Sequence, residues 1–115
     1  MSAGYIDCEM TPKVRALLGE LRARLRELYG ERLVKLVLFG SHARGDAGPD
    51  SDVDVMIVLS GPVAHDVESD KVVPITAELS LENDVVISTI YVSAERYASE
   101  RSSLLENVRE QGVTV

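Results

Sequence analysis

The chain has 115 residues, 45% of them hydrophobic and 27% charged, the balance of a folded globular protein rather than a disordered tail. Nineteen acidic against 12 basic residues give a formal charge of −7, which disfavours stable nucleic-acid binding, because that affinity comes largely from Lys and Arg neutralising phosphate. Cys8 is the one cysteine and has no internal disulfide partner, and no apolar stretch is long enough to span a bilayer, so a cytoplasmic protein with no membrane association is expected. The length suits one domain, taken here as residues 11 to 115 behind an N-terminal arm of residues 1 to 10.

Thr11 followed by Pro12 predicts a helix start, a side-chain cap with proline at the first helical position, and Gly30 predicts its end. Between them Val14, Leu17, Leu18, Leu21, Leu25 and Leu28 recur at three- and four-residue steps and form one apolar face. The arginines on the rest of the cylinder read as a solvated face in which Glu20 pairs with Arg24. Leu33 to Phe39 is a short aliphatic run ending at Gly40, and Asp52 to Leu59 is a second; both are expected as strands. Residues 64 to 82 have weak helical spacing, and Pro74 should start, kink or divide that element. Asp84 to Val92 (DVVISTIYV) is expected as a third strand, with Tyr91 and Tyr97 as core or rim aromatics. Ala94 to Gln111 is mostly helical, with Ser102 or Ser103 capping its last turns and Leu104, Leu105 and Val108 packing on the sheet. Strands alternating with helices give an α/β class: a small mixed sheet packed by helices.

The stretch FGSHARGDAGPDSDVDVMIVL carries the chemistry. Asp52 and Asp54 are two apart on a strand, so both side chains leave one face, with Cα atoms about 7 Å apart. Two carboxylates about 5 Å apart at an effective dielectric near 20 repel by about 3 kcal/mol, which calls for a partner. Arg44 is one candidate. A divalent cation is the other, and hard oxygen ligands suit Mg²⁺, which completes its shell with water and substrate phosphates. Gly40 allows a phosphate close to the backbone, and Ser41 offers a hydroxyl and an N–H where a short helix begins. Asp46 and Ala47 stand where a P-loop needs Lys and then Ser or Thr, and no GxGxxG is present. Ser41 beside His42 lacks the GxSxG elbow of a hydrolase, and His42 and His65 lack zinc-ligand spacing and are expected at the surface.

Gly40-Ser41, ten intervening residues, then Asp52-x-Asp54 followed by Met56-Ile57-Val58 resembles the signature of the DNA polymerase β-like nucleotidyltransferase superfamily. More narrowly, GSHARG…SDVDVMIV resembles the minimal nucleotidyltransferases, or MNT proteins, that pair with HEPN partners in prokaryotic toxin–antitoxin systems. The resemblance implies the polymerase β-like fold, Mg²⁺ on Asp52 and Asp54, and the triphosphate of ATP on Gly40 and Ser41, with Arg44 steadying it. Ser51, just before the pair, is either a further ligand or a turn hydroxyl. It also implies a third carboxylate on the adjacent strand, for which Asp84 is the candidate, although some relatives place that acid two residues later, where Val86 stands. The implied reaction moves AMP to a hydroxyl on a HEPN ribonuclease toxin, in a homo- or hetero-oligomer. The alternatives are a small-molecule, aminoglycoside-type acceptor and a non-catalytic antitoxin that acts by contact.

Overall fold

The computed structural model describes residues 11–45, 47–48 and 51–115, so the arm of residues 1 to 10 lies outside the described residues. Helix α1 (Pro12–Tyr29) opens as its sequence requires: the Thr11 hydroxyl accepts from the Val14 N–H and Pro12 stands in the first turn. Its buried stripe is Val14, Leu17, Leu18, Leu21, Leu25 and Tyr29, with Leu28 at the rim. A 3₁₀ turn (Gly30–Arg32) leads into strand β1 (Leu33–Phe39). A four-residue helix α2 (Ser41–Arg44) follows, then β2 (Val53–Leu59), α3 (His65–Asn83), β3 (Ile87–Ser93), α4 (Ala94–Ser99), α5 (Ser103–Gln111) and the two-residue β4 (Val113–Thr114).

The four strands form one sheet in the order β3-β2-β1-β4, with β2 parallel to β3 and antiparallel to β1. Alternation along β2 divides the core. Val53, Val55, Ile57 and Leu59 face α1 and α3, and Met56 and Val58 face Leu105 and Val108 of α5. Tyr91 is buried on the first side, and Tyr97 borders the second with the Lys35 ammonium 5.0 Å from its ring centroid. Among the described residues no helix is long and apolar enough to cross a membrane.

Pro74 lies inside α3, which runs through it with Val72, Thr76 and Leu79 buried on either side of the missing donor, so of the three expected effects, starting and dividing the helix are not seen. Two boundaries differ from the sequence expectation. The third strand starts at Ile87 rather than Asp84, because Asp84 is used as the left-handed residue that ends α3 (φ 54°, ψ 50°). The last helical segment is two helices. The Arg109 guanidinium donates to the carbonyls of Tyr97 and Glu100 at 2.6 and 2.8 Å, holding the chain between them open, and Ser102 rather than Ser103 caps α5.

Among the described residues one charged side chain is buried: Glu68 on α3, which is 3% exposed. The Tyr29 hydroxyl donates to its Oε1 at 2.8 Å, and Arg32 and Lys71 approach at 3.6 and 3.9 Å. Burial and the Glu68 carboxylate both push the Tyr29 phenol upward, so it stays protonated as the donor. Tyr29→Phe leaves that carboxylate oxygen without its buried donor and should cost about 1–3 kcal/mol by chemical denaturation.

Candidate active site

The end of β1 and the start of β2 are joined by register, since Phe39 lies opposite Asp54. Gly40 therefore passes directly against the Asp54 side chain: a Cβ placed on Gly40 would fall on the Asp54 carboxylate. Gly40 also sits at φ 77°, ψ −155°, a conformation that side chains disfavour, and caps α2, its carbonyl accepting from the N–H groups of Ala43 and Arg44. Ser41 opens α2, so its N–H belongs to the first turn, where no intrahelical acceptor exists.

Asp54 is half-buried and continues the face of Met56 and Val58; Asp52, just ahead of the strand, is exposed. Burial, then the charge of Asp52, hold the Asp54 carboxyl above the usual aspartate range, partly opposed by His42 and Arg44. The repulsion expected from the sequence is present and is moderated by water around Asp52 and by the two basic neighbours. A divalent cation between the pair would relieve it further, so two hard carboxylates facing an open edge fit Mg²⁺.

His42 is half-buried rather than a surface residue. Its Nε2 is 3.2 Å from the Ser51 carbonyl, so the Nε2–H donates and ties α2 to the segment that leads into the aspartates. Nothing in the local sequence signalled this, because the bond spans nine residues and depends on how the turn folds back. The Ser51 hydroxyl accepts from the Gly48 N–H at 2.9 Å while the Ser51 N–H donates to the Gly48 carbonyl, which makes Ser51 the hydroxyl of a tight turn. Arg44 is exposed on α2 and, with Gly40, borders a cleft of about 260 Å³ against Leu104 and Val108 of α5.

Asp84 is exposed, three residues ahead of β3, and lines a cleft with Thr11, Lys13, Val85 and with His42, Gly48 and Ser51 of the turn that leads into the aspartates. The residue paired with Asp54 on β3 is Ser88, and among the described residues no group of three or more His, Cys, Asp or Glu could hold a metal. The left-handed cap that α3 needs takes Asp84 off the strand on which it was expected, and it stands instead at the start of the loop that enters β3.

Residues 18–112 match the nucleotidyltransferase domain family. The chain belongs to that family. As a nucleotidyltransferase it is similar to proteins of Methanocaldococcus jannaschii described as candidate protein adenylyltransferases. One is 38% identical over 89 residues, 76% of this chain and 83% of the relative; another is 31% identical over 100 residues, 86% of this chain and 95% of the relative. Among solved structures, a toxin–antitoxin crystallised with AMP-PNP superposes with a TM-score of 0.59 at 18% identity, over 83% of this chain and 69% of that one. A point mutant of the toxin–antitoxin MntA-HpeT superposes with a TM-score of 0.55 at 18% identity, over 84% and 70%. These similarities establish the nucleotidyltransferase fold: a mixed four-stranded sheet with Gly40-Ser41 and Asp52-x-Asp54 at one end.

Proposed function

We propose that this nucleotidyltransferase is an MNT antitoxin that transfers AMP from ATP to a hydroxyl on a cognate HEPN ribonuclease toxin and thereby silences it. The carrying observation is the packing of Gly40 against the Asp54 carboxylate, which puts a phosphate-accepting turn and paired carboxylates on one sheet end. The adenylyltransferase names of the relatives and the toxin–antitoxin neighbours support the partner class.

Asp52 and Asp54 would hold Mg²⁺, which supplies charge neutralisation for the triphosphate. The Gly40 backbone and Ser41 hydroxyl and N–H bind the phosphates, and His42, through Ser51, keeps that turn in place over the pair. The acceptor hydroxyl oxygen attacks the α-phosphorus and loses its proton to solvent, a new P–O bond forms, the bond from the α-phosphorus to the α–β bridging oxygen breaks, and pyrophosphate leaves with that oxygen. Positioning supplies most of the acceleration. Asp52, just ahead of β2, is exposed, which leaves room for the acceptor to come from another chain.

The test is transfer of label from α-³²P-ATP with Mg²⁺ to a copurified toxin, with Asp52→Ala, Asp54→Ala as the comparison. A labelled toxin that disappears with the double variant is the expected result. Continued neutralisation by an unlabelling double variant would instead establish a contact-only antitoxin. That second reading draws on the lack of a third carboxylate near the pair among the described residues.

A further inference from the structure

Strand β3 ends the sheet on one side, and among the described residues no strand pairs with its outer edge. The Val53 N–H donates to the Val86 carbonyl, and the parallel register runs without a bulge from Val53–Ile87 to Leu59–Ser93. In such a ladder the even-numbered residues of β3 turn their backbone groups toward β2, so Ile87, Thr89, Tyr91 and Ser93 direct theirs outward. Seven residues long, the strand holds no charge, no proline and no bulge, which are the usual devices that keep an open edge from pairing. The opposite edge, β4, is only two residues long.

We infer that β3 pairs with β3 of a second copy of this chain, antiparallel about a two-fold axis through Ile90. The outward groups select that register: Thr89 faces Tyr91 of the copy and Ile87 faces Ser93, each as a hydrogen-bonded pair, and Ile90 meets its own counterpart in a non-hydrogen-bonded pair. A second copy is the favoured occupant because the strand is uncharged in a chain of net charge −7, so self-pairing brings no like charges into register. Helix α3 extends the surface. Glu78 bonds Arg24 of α1 on one flank at 2.9 Å, and the opposite flank presents Val73, which is 50% exposed, with Ser69, Ser80 and the exposed Asp66 around it. The axis stands normal to the sheet, so one eight-stranded sheet results and both Asp52-Asp54 pairs open on the same side of it.

Sedimentation velocity of the full chain between about 5 and about 200 µM should show a monomer–dimer equilibrium. Thr89→Pro removes one outward N–H while sparing the ladder to β2, and should weaken dimerisation at least about tenfold with the far-UV spectrum retained. In a Cys8→Ser background, Ile90→Cys should oxidise to a covalent dimer, because facing residues of a non-hydrogen-bonded pair lie about 4.5 Å apart at Cα, within disulfide reach. Ser88→Cys alone should not. A monomer at every concentration, a dimer indifferent to Thr89→Pro, or cross-linking at Ser88→Cys in place of Ile90→Cys would overturn the inference.

Discussion

Asp54→Asn should lower nucleotidyl transfer by at least about 10³-fold and yet raise the melting temperature near neutral pH. The loss follows from removing a phosphate-side carboxylate that would hold the cation. The gain follows from the environment of Asp54, whose pKa is raised by burial and by Asp52. An acid with a folded pKa above its unfolded value near 3.9 loses stability as pH rises through that interval, and the deficit persists at every higher pH. Asparagine removes the deficit. The advantage of the variant should therefore vanish at pH below the ordinary aspartate range, which thermal melts across pH would show. Divalent-cation binding by the wild type should weaken on acidification sooner than at an ordinary aspartate, since Asp54 takes up its proton at higher pH. A variant that melts lower than wild type near pH 7 would contradict the proposed strain at the pair.

Gly40→Ala has the second large effect, because it combines two costs. The left-handed φ of 77° is unfavourable for alanine, and the new Cβ is driven against the Asp54 carboxylate. Together they should cost about 2–4 kcal/mol and abolish transfer by displacing either the turn or the carboxylate. Gly61→Ala separates the terms, since Gly61 has φ 80° with nothing near its added Cβ, and should cost only about 1 kcal/mol. In an Asp54→Ala background the Gly40→Ala penalty should shrink toward the Gly61 value. Equal penalties in both backgrounds by denaturant titration would mean that the turn does not press on Asp54.

The strongest periodic signals were legible in the sequence. The α1 stripe and its Thr11 and Gly30 boundaries are set by side chains within a few residues, and so are the aliphatic cores of β1 and β2. The two aspartates were legible because charge inside a buried run has few explanations. Asp84 misled because its neighbours Val85, Val86 and Ile87 are all good strand formers, whereas the need for a left-handed residue after α3 is decided by where that helix must stop. The break between α4 and α5 was hidden for a similar reason, since it is held by Arg109 reaching back 12 residues to Tyr97. The His42 bond to Ser51 and the β4 pairing with Val37 and Leu38 are likewise products of the assembled chain.

The two sides of the sheet are unequal in depth. Among the described residues, 16 buried side chains gather on the side of α1 and α3 and six on the side of α5. Removing α5 would uncover Met56, Val58 and Val92, whereas lifting α1 would open the larger cluster that also holds Val113 of β4. The paired aspartates project on the thinner side. The carboxylates thus stand on strands whose positions are fixed mainly from the opposite face, so a substitution in α5 should disturb the approach to Asp54 more than the spacing of Asp54 and Gly40.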